Sequence, residues 1–283
     1  MNYRHAFHAG NHADVLKHVV LLALCDALLR KPTPVFALDT HAGRGLYALD
    51  SNSAQRTGEA EGGIGKLKSA TVADACLAAY AKAVDACRAA HGPHAYPGSP
   101  WLLAHALRDT DRLACCELQP DEAIELKRLF AHEHRIAVHQ RDGYSAMKAL
   151  LPPTVDGQRF GRGLVLIDPP YEAQLEEFQT ALAALREALL RWPQATYVLW
   201  YPIKQRRSLR PFYRDAAALS AKSVHIAELL VHPDDSPLRM NGSGLLLLNA
   251  PYRFAEALRA VLPALAAALE SDAGTRVEAL SGD

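Results

Sequence analysis

Residues 35–45 read Val-Phe-Ala-Leu-Asp-Thr-His-Ala-Gly-Arg-Gly. Val35–Asp39 is an apolar run of strand length ending in a carboxylate, and the turn Gly43-Arg44-Gly45 follows at once. A buried strand running into a glycine loop is how an open parallel sheet begins its ligand-binding edge, because ligands sit beyond the carboxyl ends of the strands. Runs of the same kind recur at Leu113–Glu117, Ile136–His139, Leu164–Asp168 and Tyr197–Tyr201. Between them, apolar residues at three- and four-residue spacing predict helices over 121–132, 143–151 and 175–190. Strand alternating with helix predicts a parallel sheet covered on both faces.

Upstream, Val15, Leu16, Val19, Val20, Ala23 and Leu24 predict a helix over 11–29, stopped by Lys31-Pro32-Thr33-Pro34. Downstream, Val224–Val231 and Gly244–Asn249 are joined by Pro233–Ser243, too short for a crossover helix, so they are expected to pair antiparallel. Five parallel strands and an antiparallel pair make a seven-stranded, Rossmann-like α/β core. The interval between the first two strands is far longer than a crossover requires. Ala-rich Ala73–Ala90, flanked by Gly58–Gly65 and Gly92–Gly98, predicts a helical insertion over 52–96. The core is then 1–51 and 97–283, with 1–30 as its N-terminal arm and helix.

The 283 residues are 49% hydrophobic and 22% charged, which excludes a disordered chain. No run of about 20 consecutive apolar residues offers a membrane span. Five cysteines without a C-x-x-C spacing argue against a disulfide framework and a cysteine zinc site, and favour a reducing, cytoplasmic setting. With 31 basic and 31 acidic side chains, a protein that coats nucleic acid through bulk charge is disfavoured. The charge is unevenly placed: Met1–His18 and Ile203–Arg214 are basic, whereas Ala264–Asp283 carries four acidic residues against one Arg.

The loop after the first strand lacks G-x-x-x-x-G-K-[ST] and the third glycine of the dinucleotide fingerprint, where Ala48 stands. It reads as a nucleoside-binding loop around Gly43, or as an ordinary Gly-rich turn. Glu117 ends the second strand, where a carboxylate can accept both ribose hydroxyls. Asp142-Gly143 follows the third strand: the Asp could take an adenine amino group while the glycine admits the ring, or the pair is a helix-capping turn.

The most specific signal is Asp168-Pro169-Pro170-Tyr171 after the fourth buried strand. An adenine or amide nitrogen is a poor nucleophile because its lone pair is delocalised. Acceptors for both amino hydrogens let the nitrogen pyramidalise and direct that pair at a methyl donor. The Asp168 carboxylate supplies one, and the Pro169 carbonyl, in a turn stiffened by Pro170, supplies another. Tyr171 offers a face for an extruded base, worth about 1–3 kcal/mol.

His8 and His12 stand at metal-ligand spacing and Asp14 could serve as a third ligand, but the first strand and the D-P-P-Y edge offer no further partner, so no metal is expected. The aromatic and basic Tyr3, Arg4, His5 and Phe7 read instead as an RNA-touching arm. Lys17 and His18 lie within reach of the cofactor site. Lys204, Arg206 and Arg207 begin a cationic stretch that either neutralises phosphates or forms a solvated helix face.

Together these blocks resemble the bacterial ribosomal RNA large subunit methyltransferase J family. The likeness is carried by Tyr3–His18, Leu38–Gly45 (L-D-T-H-A-G-R-G), Arg56–Glu59, Tyr96–Pro100, Asp142–Gly143, Ile167–Glu172 and Trp200–Pro202. The resemblance implies a class I S-adenosylmethionine-dependent methyltransferase acting on N6 of an adenine in 23S ribosomal RNA. It implies cofactor contacts at Lys17, His18, His41, Ser99, Glu117, Asp142 and Gly143, with Asp168 as the catalytic acid residue beside the cofactor and Tyr3 on the RNA. A monomer is expected. The D-P-P-Y turn alone also admits a DNA adenine-N6 or protein glutamine methyltransferase, and the fold alone a non-catalytic RNA-binding assembly factor. No second domain large enough for DNA recognition is visible, and the intact turn with both loop glycines speaks against a non-catalytic role.

Overall fold

The computed structural model describes residues 5–67, 74–171, 174–238 and 240–282. Its central sheet has strands β1 (Phe36–Asp39), β2 (Arg112–Glu117), β3 (Ile136–Gln140), β4 (Gly163–Ile167), β5 (Thr196–Ile203), β6 (Val224–Leu230), β7 (Gly242–Leu248) and β8 (Thr275–Ser281). The spatial order is β8-β6-β7-β5-β4-β1-β2-β3. The strands from β5 through β3 in that order are mutually parallel. β7 runs antiparallel to β5, β6 antiparallel to β7, and β8 antiparallel to β6. The expected α/β core is present, with one edge strand more than seven.

Helix α1 (His12–Leu29) begins where the Asn11 side chain accepts the backbone N–H groups of Ala13 and Asp14. It is buried on most of its circumference, with Val15, Leu16, Val19, Val20 and Leu24 inaccessible to solvent. Alternation along the strands divides the core in two: Ala37, Leu164 and Leu166 face α1, while Phe36, Leu38, Val165 and Ile167 face the other side. Short α2 (Asn52–Thr57) and longer α3 (Ala75–His91) fill the interval after β1. Leu77, Tyr80, Val84 and Cys87 of α3 share the apolar cluster of α1. A two-stranded ribbon, Leu46–Ala48 with Ala95–Pro97, closes that interval before α4 (Ser99–Ala106).

Helices α5 (Pro120–Leu129), α6 (Gly143–Leu150) and α7 (Gln174–Arg191) complete the alternation, and α8 (Arg210–Ala217) and α9 (Phe254–Ala268) flank the antiparallel end. Glu228, fully buried in the middle of β6, organises that end. It accepts hydrogen bonds from Tyr201 Oη (2.8 Å), from Tyr213 Oη and from Arg206 Nε (2.9 Å), and Arg276 of β8 approaches it as well. Arg206 is therefore an internal counter-ion of Glu228. That corrects its reading as a phosphate contact, because a guanidinium paired with a buried carboxylate cannot leave it without stranding the charge. Lys204 and Arg207, by contrast, are exposed.

The pairing predicts unequal effects along this basic stretch. Arg206→Ala is expected to lower the unfolding free energy in urea by about 3 kcal/mol. Arg207→Ala is expected to change it by less than about 0.5 kcal/mol. Equal, small losses for both would contradict the assignment of Arg206.

Candidate active site

A cavity opens at the carboxyl edge of β1, β2, β3 and β4, walled by the loop after β1, the starts of α4 and α6, and part of α1. Gly43 (φ 59°) turns the loop in the left-handed region, and a Cβ there would lie 2.2 Å from the Tyr47 hydroxyl. Its N–H donates to Glu117 Oε2 (2.9 Å), while Glu117 Oε1 accepts from Gln119 N (2.7 Å). Glu117 thus faces the glycine loop from the end of β2. Burial raises its pKa, against the pull of these N–H donors.

Asp142 caps α6, its Oδ1 accepting from Ser145 N at 2.7 Å, and it also lines the cavity. A Cβ on Gly143 would stand 2.2 Å from the Thr40 carbonyl oxygen. Its missing side chain lets the α6 N-terminus close against the end of β1, and Gly143 also lines the cavity. His41 receives or donates a 2.7 Å bond with Thr40 Oγ1 and meets the Tyr144 ring edge-on. Burial pushes its imidazole down to about 4, so it is neutral near pH 7.

Ser99, at the start of α4, donates to Asp39 Oδ2 (2.6 Å), and His41 N donates to Asp39 Oδ1 (3.3 Å). Burial pushes the Asp39 carboxyl up to about 7, against the Ser99 hydrogen bond. The sequence marks Asp39 as the carboxylate that ends β1, as Glu117 ends β2, but assigns it no role in the site. His18 is fully buried, with Nδ1 on the Tyr96 hydroxyl (3.0 Å), which in turn meets Tyr80 (2.9 Å). Burial brings His18 down to about 3. Its Nε2 has no hydrogen-bond partner among the described residues, and the residue lines the cavity.

Asp168 closes the cavity on one side and opens on the other to a wider cleft; His5, Lys17, Asp168 and Pro170 line both. The Lys17 ammonium, 5% exposed, sits between Asp14 Oδ1 (2.8 Å) and Asp168 Oδ2 (2.5 Å). Asp14 Oδ2 also accepts from Gly10 N (2.9 Å) and contacts His5 Nε2 (3.0 Å). Burial alone would raise Asp14, but the charges of His5 and Lys17 hold its carboxyl well below the usual range. Burial would likewise lower Lys17, and the two carboxylates hold it well above its ordinary value.

In the cleft, Tyr171 donates to the Trp200 carbonyl (2.7 Å), and its ring packs on Phe178 and Trp200. The tether fixes the ring beside Asp168. Glu59 takes His8 Nδ1 (2.9 Å) and Asn11 Nδ2 (2.9 Å), binding the segment after α2 to the start of α1. Tyr3 and Arg4 lie outside the described residues. Among the described residues no group of three or more His, Cys, Asp or Glu side chains is placed to hold a metal, and no helix is long and apolar enough to cross a membrane.

The arrangement is an enclosed cavity rich in acceptors, joined to an open cleft through one ion-paired carboxylate. A family model described as ribosomal RNA large subunit methyltransferase D, RlmJ, matches residues 32–280. The ribosomal RNA large subunit methyltransferase J of Escherichia coli is 37% identical over 263 residues, covering 93% of this chain and 92% of that protein. The Haemophilus influenzae protein of the same name is 36% identical over 268 residues, covering 94% and 92%. A solved structure from Legionella pneumophila superposes with a TM-score of 0.84 at 32% identity, covering 96% of this chain and 98% of that one.

The cavity carries a pH signature. The native state holds the Asp39 proton up to about pH 7, whereas an unfolded carboxyl releases it near pH 4. The Asp39 contribution to stability therefore falls as pH rises from about 4 to about 7 and is level above. The stability of the wild type minus that of Asp39→Asn, from denaturation at each pH, is expected to decline across that window. A difference that stays flat or rises would contradict the assignment.

Proposed function

The chain belongs to the RlmJ family of ribosomal RNA large subunit methyltransferases, and from that premise we propose that it transfers the methyl group of S-adenosylmethionine to N6 of one adenine in 23S ribosomal RNA. The observation that carries this reading is the position of Asp168, on the wall shared by the enclosed cavity and the open cleft. A transfer between a bound small molecule and an extruded base needs its reacting centre at such a junction.

The cavity residues fit the cofactor. Glu117 ends β2 on the cavity wall beside the glycine loop, its carboxylate accepting from Gly43 N–H, and on this reading it takes the ribose hydroxyls. Asp142 and the neutral His41 border the same space. His18 Nε2 and the Ser99 hydroxyl supply polar atoms at the α1 and α4 side, and Lys17 a cation. S-adenosylmethionine, when bound, supplies a methyl group on a sulfonium sulfur.

The residues of the chain then position the nitrogen. The Lys17 ammonium donates to Asp168 Oδ2; Oδ1 accepts no bond among the described residues and is left for one amino hydrogen. The Pro169 carbonyl takes the second amino hydrogen, and Tyr171, held by Trp200, gives the base a face to stack on. With both hydrogens engaged, the nitrogen lone pair points out of the ring plane toward the cavity. Catalysis on this reading is mostly positioning and electrostatic preorganisation. Asp168 does not deprotonate the neutral amine beforehand; an adenine amino group is far too weak an acid. The proton leaves after the nitrogen has acquired positive charge, and Asp168 Oδ1 is placed to receive it. Exposed Lys204 and Arg207 stand ready for backbone phosphates.

In the decisive variant, Asp168→Ala, S-adenosylmethionine binding measured by calorimetry should weaken by less than about tenfold. Methyl transfer to 23S RNA should fall by about a thousandfold. Turnover near the wild-type rate would overturn the role of Asp168. Failure of the wild type to bind S-adenosylmethionine would overturn the function itself.

A further inference from the structure

The open cleft is larger than the target base requires. It encloses ≈ 790 Å³ against ≈ 190 Å³ for the cofactor cavity, in the range of sites that bury a ligand of several rings. Asp168, Pro169 and Tyr171 account for one end. The remainder runs past Trp200 and His12 to His232, Leu238 and Met240; apart from Trp200, which holds Tyr171, none of these has a part in the chemistry above.

Two hydrogen-bonding atoms on residues of this far wall are buried without a partner among the described residues: Trp200 Nε1 and His12 Nδ1. An indole N–H is a donor only, and burying it unpaired carries a desolvation cost that a bound acceptor removes. His12 opens α1. Burial, reinforced by His232, pushes its imidazole down to about 4, so near pH 7 it presents one donor and one acceptor. Beside them Leu238 is 47% exposed and Met240 is half-buried, an apolar surface suited to a flat ring.

Resting on the methyltransferase reading above, we propose that this far half is a binding site for a second, unpaired nucleobase of the substrate strand, next to the target adenine. Trp200 Nε1–H donates to an acceptor on that base, His12 pairs with its neighbouring edge, and Leu238 and Met240 cover its face. Continuity identifies the occupant. The cleft leads directly from the place where the target adenine must enter, and the adjoining nucleotide is tied to it by a single phosphodiester. Unstacked bases splayed into pockets are how proteins read single-stranded RNA. Exposed Lys204 directly follows the strand that brings Trp200 and Pro202 to the cleft.

The test uses a 23S RNA fragment that the wild type methylates and a set of fragments in which each neighbour of the target is made abasic in turn. For the wild type, one abasic position should raise KM about tenfold with little change in kcat. Trp200→Phe keeps the aromatic body against Tyr171 and removes only the N–H. It should raise KM on the intact fragment about fivefold and shrink the penalty at that one position, leaving the other positions as they were. Leu238→Ser, an exposed change, should give the same selective pattern and serves if Trp200→Phe folds poorly. Equal abasic penalties in the wild type and both variants overturn the subsite while leaving the methyltransferase reading intact. A wild type that methylates no RNA fragment takes down both.

Discussion

The Lys17 ammonium, buried between Asp14 and Asp168, is the contact on which the site depends. It joins the second turn of α1 to the turn after β4, across 151 residues of chain. A buried cation between two carboxylates holds only if every partner stays in place, because losing one leaves an uncompensated charge. The surroundings of Asp14 follow from that demand. Asn11 caps the helix so that Asp14 and Lys17 share one face, Gly10 N–H and His5 take the second Asp14 oxygen, and Glu59 clamps His8 and Asn11 from the segment after α2. The N-terminal block is thus tied to the sheet edge that carries Asp168, and the segment between β1 and β2 supports it.

Much of this was legible in the sequence. Apolar runs ending in a carboxylate located β1, β2 and β4, and strand-end residues are where an open sheet places its ligands. Asp142 is a helix cap that also lines the cavity, so capping does not remove it from the site. What escaped depends on partners distant in the chain. Arg206 looks like its cationic neighbours until Glu228 folds against it. The strand Thr275–Ser281 is a half-exposed edge with alternating Arg276 and Glu278, which no hydrophobic period marks. Gly143 owes its identity to the carbonyl of Thr40, a contact no local pattern encodes. Helix α9, with Pro263 inside it, falls outside all of the sequence blocks that carry the family resemblance.

The balance of 31 cationic and 31 anionic side chains acquires a structural sense here. Several cations are committed internally: Lys17 to Asp14 and Asp168, Arg206 to Glu228, Arg108 to Asp111, Arg44 to Glu122. Among the described residues the one Lys or Arg lining the cleft is Lys17, and it is ion-paired; on the proposed reading, RNA recognition then rests on shape and the cleft walls rather than on bulk charge.

The central claim is that Asp168 and the Pro169 carbonyl engage the two hydrogens of an exocyclic adenine amine. It is tested most directly by methyl transfer from labelled cofactor to a set of 23S RNA fragments, followed by nucleoside analysis. The account predicts N6-methyladenosine as the sole labelled nucleoside, confined to one fragment. Label on a ring carbon, on a ribose hydroxyl, or in DNA or protein in place of RNA would contradict it.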